Sequence, residues 1–424
     1  MKPETIALHA GYAGDPTSHA ATTPIYQTTS YTFDNTQHGA DLFNLAVPGN
    51  IYSRIMNPTN AVLEQRLTEL EGGVGALAVG SGMAAIRYAI EAIAEVGSNI
   101  VSTTQLYGGT YNLFAHTFPR QGIEVRFAKA DDFNLAASLI DENTKALFCE
   151  SIGNPAGNIV DIEKWAEIAH SAGVPLIVDN TVATPVLCRV FDHGADIAVH
   201  SLTKYIGGHG TTIGGAIVDS GRFDWAAHAR RFPIMNTPDP SYHGVVYTEA
   251  MGAAAYIGRC RVVPLRNTGA ALSAHSAFLI MQGLETLSLR MERHCKNAKK
   301  VAKYLSKHPQ VRWVNYAGLK DSPYRENCKK FCGGKAAGIL SFGIDGGSEA
   351  GGRFIDALQL ILRLVNIGDA KSLACHPAST THRQLNAGEL ASAGVSEDMV
   401  RLSIGIEHID DILADIEQAL EAAK

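Results

Sequence analysis

The chain has 424 residues, of which 46% are hydrophobic and 18% charged. This composition predicts a folded protein of two or three domains and excludes a largely disordered chain. The 36 Lys and Arg residues and the 42 Asp and Glu residues give a formal net charge of −6. This lack of a basic excess argues against nucleic-acid or membrane-surface binding.

No targeting or membrane segment is expected. The first residues do not lead into the apolar stretch of a secretory signal, and no apolar run reaches about 18 residues. The seven cysteines are odd in number and scattered, which favours a reducing cytoplasm over a disulfide framework. Cys328 and Cys332 have no second pair behind them, so we expect no zinc site and no metal.

Residues 1–60 are rich in Thr, Tyr and Asn and lack periodicity, which predicts an extended arm. Beyond them helices alternate with short apolar strands. The predicted helices span 61–70, 83–94 and 162–172; the predicted strands span 76–79, 99–103, 123–128, 146–150, 176–179 and 197–200. Such alternation indicates an α/β fold with a mostly parallel sheet covered on both faces.

The remaining sequence predicts a second domain. Residues 221–265 are rich in aromatic residues, Pro and His, and we interpret them as a large loop insertion. A long helical stretch over 269–305 then leads into a smaller α/β domain. The predicted organisation is an arm over 1–60, a large domain over 61–269 and a C-terminal domain over 270–424.

The densest group of reactive side chains follows the predicted strand 197–200. Ser201, Thr203 and Lys204 stand there, and Asp179 ends the preceding apolar strand. One βαβ crossover would bring them to the same carboxyl-end rim of the sheet, where open α/β sheets bind ligands. A lysine amine can form a Schiff base with an aldehyde, and a carboxylate can keep a pyridine nitrogen protonated. This rim therefore favours pyridoxal phosphate as cofactor.

A phosphate site is predicted at residues 80–83, with the sequence GSGM. The segment follows a strand and opens a helix, so its backbone N–H groups and the helix dipole favour an anion. Competing motifs are missing from the sequence: there is no complete Walker A or G-x-G-x-x-G loop, no G-x-S-x-G elbow and no H-E-x-x-H. A metal-dependent hydrolase is disfavoured for the same reason.

Longer motifs identify a family. They are 23–29 (TPIYQTT), 52–59 (YSRIMNPT), 81–85 (SGMAA), 107–110 (YGGT), 201–205 (SLTKY), 376–379 (HPAS) and 401–405 (RLSIG). With them the chain resembles, over nearly its whole length, the Cys/Met-metabolism group of pyridoxal-phosphate enzymes. The resemblance implies an aspartate-aminotransferase-like fold of type I.

The resemblance also implies roles for individual residues. Lys204 would hold the cofactor as a Schiff base, Asp179 would face the ring nitrogen, and Tyr107 would stack on the ring and exchange protons. The implied phosphate ligands are Gly82, Met83, Ser201, Thr203 and, from a neighbouring subunit, Tyr52 and Arg54. The implied substrate ligands are Asn154, Asn366 and Arg401, the last as a bidentate partner of the α-carboxylate. The resemblance further implies a homotetramer built from dimers with shared active sites.

Within the group, three features favour the branch that replaces the acetate of O-acetylhomoserine by sulfide or methanethiol, giving homocysteine or methionine. They are the insertion 221–265, Asn366 where lyases carry Ser, and Gly108 where methionine γ-lyases carry Cys. A methionine γ-lyase, a cystathionine γ-synthase, an O-succinylhomoserine sulfhydrylase and a catalytically silent cofactor-binding protein stay open as alternatives. The aromatic residues Phe232, Tyr242 and Tyr247 of the insertion either cover the site or narrow its entrance, or the insertion only forms a subunit contact.

Overall fold

A computed structural model describes residues 1–44, 46–380, 383, 388, 390 and 394–424. Two sheets organise this part of the chain. The strands of the first are β1 (Gly75–Val79), β2 (Asn99–Thr103), β3 (Glu124–Ala128), β4 (Thr144–Glu150), β5 (Leu176–Asp179), β6 (Ile197–Ser201) and β7 (Gly215–Asp219). Those of the second are β8 (Val311–Asn315), β9 (Ile339–Ile344), β10 (Leu362–Arg363), β11 (Leu373–Cys375) and β12 (Met399–Ser403).

The first sheet is mostly parallel, in the order β1-β7-β6-β5-β4-β2-β3. Strands β6, β5, β4, β2 and β3 run parallel, and β7 is antiparallel to both β1 and β6. Six of its strands are buried almost throughout, as expected for apolar strands covered by helices on both faces. The predicted α/β fold class is confirmed, and β7 is a strand that the sequence reading missed.

Helices surround the two sheets. They are α1 (Pro3–His9), α2 (Thr36–Phe43), α3 (Pro58–Glu71), α4 (Gly82–Glu91), α5 (Gly108–Asn112), α6 (Phe118–Arg120), α7 (Phe133–Ser138), α8 (Ile162–Ser171), α9 (Thr184–Leu187), α10 (Pro233–Asn236), α11 (Tyr247–Met251), α12 (Ala255–Cys260), α13 (Arg266–Thr268), α14 (Ala274–Glu285), α15 (Leu287–Leu305), α16 (Arg325–Cys332), α17 (Gly347–Ala357) and α18 (Ile409–Ala422). No helix of the described ranges is long and apolar enough to cross a bilayer.

Helix α3 shows how local sequence fixes its limits. The side chain of Asn57 accepts the backbone N–H of Thr59 at 2.9 Å, and Pro58 occupies the first turn, where its missing N–H costs nothing. Gly72 ends the helix in the left-handed region at φ 77°. The helix packs against β1 and buries Leu63 and Leu67 completely.

The second sheet has the order β10-β11-β12-β9-β8, with β12 antiparallel to β9 and β11. Helices α14 and α15 lead into it. The predicted single helical stretch over 269–305 is wrong in detail, because the chain leaves helical geometry at Thr286 (φ −106°, ψ 9°). The division into an arm, a large domain and a C-terminal domain stays a prediction.

The segment 221–265 is a packed unit and not the loop that its composition predicted. It contains α10, α11, α12 and a π-helical turn at Arg261–Leu265. Trp225 stacks on Tyr256 at 5.4 Å between ring centroids, and Phe232 meets Trp225 edge-on at 5.0 Å. A buried ion pair joins Asp239 to Arg259 at 2.8 Å. Aromatic burial therefore holds this segment together.

The arm 1–60 is anchored at its start and exposed further along. Arg66 donates hydrogen bonds to the carbonyls of Leu8 and Ala10 and thereby fixes the end of α1. Large apolar side chains between residues 25 and 52 are exposed, namely Ile25, Tyr26, Phe33, Phe43, Val47 and Tyr52. A surface of this kind is typical of segments that meet another chain.

Candidate active site

A cavity of about 240 Å³ opens where β4, β5 and β6 end, beside the second sheet. Ten of the twelve predicted site residues line it. The lining comprises Ser81, Gly82, Met83, Ile86, Tyr107, Glu150, Ile152, Asn154, Asp179, Thr181, Val182, Ser201, Thr203, Lys204, Ile213, Val365, Asn366, Ile367 and Arg401. This is the position at which open α/β sheets bind ligands.

Lys204 lies in the turn after β6 and points into the cavity, where its Nζ donates to Oδ1 of Asn366 at 2.5 Å. Burial, and then the nearby charge of Arg401, lower the pKa of its amine from 10.5 to about 8. At pH 8 about half of the side chain is then the free amine, whereas an ordinary lysine would be almost wholly protonated. The position of Lys204 in the cavity and its share of uncharged amine therefore suit a nucleophile.

The turn that carries Lys204 is braced from α15 by Arg290. Its buried guanidinium donates to the carbonyls of Tyr205 at 2.6 Å, Ile206 at 3.1 Å and Gly283 at 2.6 Å. No carboxylate forms an ion pair with Arg290 in the described part of the chain, and burial lowers the pKa of this group to about 10. Sequence reasoning did not find Arg290, because a lone basic residue on a long helix gives no signal.

Two carboxylates form one wall of the cavity. Glu150 and Asp179 end the neighbouring parallel strands β4 and β5 and are paired in register. Burial raises the pKa of both, and for Glu150 the charge of Asp179 adds to this effect. Asp179 accepts the backbone N–H of Thr181 at 2.9 Å. Sequence reasoning missed Glu150, although a carboxylate at the end of a strand beside Asp179 was an available signal.

The N terminus of α4 forms an anion cradle. Ser81 caps the helix by accepting the N–H of Ala84 at 3.1 Å, which leaves the N–H groups of Gly82 and Met83 at the open end. A Cβ on Gly82 would lie 2.6 Å from Cβ of Ser201, so only glycine lets the helix approach β6 this closely. An exposed backbone of this kind suits a phosphate group.

The predicted phosphate ligand Thr203 has a second role. Its hydroxyl accepts the backbone N–H of Gly214 at 3.0 Å and lies 3.3 Å from the carbonyl of the same residue. Thr203 therefore joins the turn before Lys204 to the start of β7. Its hydroxyl lines the cavity while holding this turn closed.

Tyr107 stands at the mouth of the cavity and is 41% exposed. Its backbone N–H donates to Oε1 of Glu150 at 2.6 Å. Its ring lies over Gly109, where an added Cβ would come within 2.5 Å of the ring edge. The aromatic face is thus placed at the cavity for stacking.

Arg401 on β12 brings the second sheet to the cavity. It is buried, and it donates to Oδ1 of Asn154 at 3.2 Å and to the carbonyl of Asn366 at 3.0 Å. Its buried Nε finds no partner among the described residues. Two hydrogen bonds thus hold the guanidinium in place while its Nε remains available as a donor, an arrangement that suits a carboxylate ligand.

Five predicted contributors lie elsewhere. Tyr52 and Arg54 are exposed on the arm, with the Arg54 guanidinium 5.2 Å from the Tyr52 ring centroid, and neither lines the cavity of its own chain. Phe232 and Tyr247 are buried within the insertion, and Tyr242 is half-buried there. No residue of 221–265 lines the cavity, so the expectation that the insertion covers the site is not met within one chain.

The residues present fit pyridoxal phosphate. An amine of lowered pKa suits the aldehyde, the carboxylate of Asp179 suits a cationic ring nitrogen, and the open N terminus of α4 suits the phosphate. The unpaired Nε of Arg401 leaves a donor for a substrate carboxylate. Among the described residues, no three His, Cys, Asp or Glu side chains are grouped so as to hold a metal ion.

Comparison with known proteins agrees with this reading. Residues 4–421 match the family described as Cys/Met metabolism PLP-dependent enzyme. Homocysteine synthase of Schizosaccharomyces pombe is 53% identical over 99% of this chain and 98% of its own length. O-acetyl-L-homoserine sulfhydrylase of Leptospira meyeri is 50% identical over 99% of this chain and 97% of its own.

A crystal structure shows the same fold. It is that of a Campylobacter jejuni protein described as an O-acetylhomoserine (thiol)-lyase with pyridoxyl-lysine 5'-monophosphate. It superposes with a TM-score of 0.97 at 45% identity and covers 99% of this chain and 100% of that one.

Proposed function

Because the chain belongs to the Cys/Met-metabolism family of pyridoxal-phosphate-dependent enzymes, we propose that it is an O-acetyl-L-homoserine sulfhydrylase. It replaces the acetate of O-acetylhomoserine by sulfide to give homocysteine, and with methanethiol it gives methionine. The observation that carries this proposal is full-length identity of about half to proteins of that activity, together with a cavity that combines an amine, a carboxylate pair and a carboxylate-binding arginine.

Bound pyridoxal phosphate supplies an electron sink that acidifies the hydrogen on the substrate's Cα. Lys204 takes that proton, because its amine has a pKa of about 8 and lies in the cavity. After giving that proton up to the electron-rich cofactor, the same amine would be free to take a proton from Cβ, which opens the way for acetate to leave from Cγ. Fixing one base beside both carbons makes these transfers effectively intramolecular.

Arg401 and the two asparagines orient the substrate. Arg401 grips the α-carboxylate, while Asn154 and Asn366 hold the guanidinium in place through its Nη atoms. Asn366 also accepts from Lys204, so one residue connects the base to the carboxylate-binding arginine. The apolar side chains of Ile213 and Val365 flank the cavity and leave room for a small sulfur nucleophile.

The test is a substrate panel. Purified protein is given O-acetylhomoserine, O-succinylhomoserine, cystathionine or methionine, each with and without sulfide. We expect homocysteine and acetate from O-acetylhomoserine plus sulfide, much faster than 2-oxobutyrate and ammonia from O-acetylhomoserine alone, and weak activity on methionine. If ammonia release equals homocysteine formation under saturating sulfide, the enzyme is a γ-lyase; faster turnover of the succinyl ester identifies an O-succinylhomoserine enzyme.

Lys204 provides the control for that panel. Lys204→Ala should abolish turnover in every reaction and leave the fold intact. Borohydride reduction of the loaded protein followed by peptide mapping should label Lys204, and a label on another lysine would contradict its assignment.

We further propose a homotetramer of dimers in which Tyr52 and Arg54 enter the neighbouring subunit's cavity. The support is the exposed apolar arm and the position of both side chains outside their own cavity. Mixing inactive Arg54→Ala and Lys204→Ala proteins should restore part of the activity, because hybrid dimers carry one intact site. No recovery after verified subunit exchange would refute the sharing of active sites.

A cytoplasmic location is part of the same proposal, supported by seven free, buried cysteines.

A further inference from the structure

Glu150 is a buried acid whose role the preceding steps leave open. It is 4% exposed, it ends β4, and it lines the cavity beside Asp179. In the described part of the chain no Lys, Arg or His forms an ion pair with it. A carboxylate in such surroundings is costly unless hydrogen bonds satisfy its oxygens.

The hydrogen bonds of Glu150 come from the backbone of two cavity residues. Its Oε1 accepts the N–H of Tyr107 at 2.6 Å. The N–H of Asn154 also acts on this carboxyl and favours its charged form. Tyr107 precedes α5, so its N–H is not used within a helix and depends on an outside acceptor.

This contact ties the backbone of Tyr107 to a residue of the cavity wall. The residue is exposed at its ring and tied at its backbone, and the ring rests over Gly109. Without the acceptor, this N–H would lose its partner and the start of α5 would move to find another one. A movement of this kind displaces the ring from the cavity mouth.

We propose that Glu150 is a positioning residue that holds Tyr107 in its stacking orientation by accepting the Tyr107 backbone N–H. The inference rests on the proposed function only because kcat is one of its measurements. Glu150 acts here as a hydrogen-bond acceptor. Any side chain that brings an oxygen to the same place should hold Tyr107 equally well, and the negative charge is not required.

Two substitutions separate the acceptor from the charge. Glu150→Gln keeps a carbonyl oxygen at nearly the same place, whereas Glu150→Met fills the volume without a strong acceptor. We expect Glu150→Met to lower kcat about tenfold or more and Glu150→Gln to stay within about threefold of the parent. Asp219→Asn is the matched control, because Asp219 is another buried acid that accepts two backbone N–H groups, from Gly221 and Ile257, away from the cavity.

A double-mutant cycle with Tyr107→Ala tests whether Glu150 acts through that residue. If it does, Glu150→Met should change kcat less than about twofold when the ring is already absent. The circular dichroism of the bound cofactor in the visible range reports ring placement without turnover. That signal should fall in both Glu150→Met and Tyr107→Ala, and persist in Glu150→Gln and Asp219→Asn.

Two results would overturn the proposal. One is equal damage in Glu150→Gln and Glu150→Met, which would assign the role to the charge. The other is additivity of Glu150→Met with Tyr107→Ala. Since the dichroism is measured without substrate, the proposed reaction can fail in the substrate panel while this inference stands, and the two failures are distinguishable.

Discussion

The substitution Gly82→Ala isolates the contribution of the anion cradle. The added Cβ would lie 2.6 Å from Cβ and 2.9 Å from Cα of Ser201, whereas carbon atoms in contact are about 3.5–4.0 Å apart. The N terminus of α4 must therefore retreat by about 1 Å. A hydrogen bond of about 2.9 Å from its N–H groups to a phosphate then lengthens beyond useful range.

The loss can be estimated from those N–H groups. Two charge-assisted hydrogen bonds, from Gly82 and Met83, contribute about 1.5–3 kcal/mol each, and only part of this is recovered by water. A net loss of about 3 kcal/mol weakens the affinity for pyridoxal phosphate roughly 100-fold. Titration of the cofactor-free protein, followed by tryptophan fluorescence or by the cofactor's absorbance, measures this directly.

The matched control is Gly352→Ala in helix α17, where an added Cβ meets no atom within 4 Å. It should leave cofactor affinity unchanged and stabilise the fold by about 0.5–1 kcal/mol, because alanine favours helix more than glycine does. If Gly82→Ala folds and its cofactor affinity falls less than about threefold, the helix N terminus does not bind the phosphate and the reasoning fails.

Three other predictions test different parts of the site. Arg401→Lys should lower kcat/KM for O-acetylhomoserine about 100-fold at unchanged cofactor affinity, since lysine cannot supply two parallel donors. A decrease of less than about tenfold in steady-state kinetics would contradict this. In the cofactor-free protein, modification of Lys204 by an amine reagent should accelerate as pH rises, with a midpoint at about pH 8, where the ammonium loses its proton. Arg401→Gln should move that midpoint upward, because a nearby positive charge is removed. A midpoint near 10.5 in the parent protein would refute the lowered pKa. Asp239→Asn leaves the buried Arg259 without its counter-ion and should destabilise the fold by about 3 kcal/mol in urea titration, while activity per folded protein stays unchanged.

Much of the large domain follows from local pattern. Buried parallel strands consist of short apolar runs, so β2, β5 and β6 could be located within a residue or two. Asp179 and Lys204 could then be placed on one rim, because carboxyl ends of parallel strands meet at one edge. Strand β7 was not found, because it directly follows a glycine-rich stretch that indicates only turns.

Contacts between distant segments could not be derived in this way. Arg401 reaches Asn154 across 247 positions of sequence, and no spacing rule connects them. Their common role came from the family resemblance alone. Glu150 and Arg290 act through backbone groups of other residues, and a side chain that binds backbone leaves no recognisable pattern. The packing of 221–265 likewise depends on aromatic partners that only the folded chain brings together.

The cavity draws its parts from two sheets, and this has a use in engineering. Lys204, the two carboxylates, the anion cradle and Asn154 come from the first sheet and the segments that follow its strands, whereas Asn366 and Arg401 come from the second-sheet region. The residues that would bind the cofactor and two of the three that would bind the substrate are therefore encoded in separate stretches of the gene. A mutant library confined to residues 365–367 and 401 should diversify the accepted amino acids while leaving the anion cradle and Asp179 unchanged, and the colour of the bound cofactor would show, before any assay, which members still take it up.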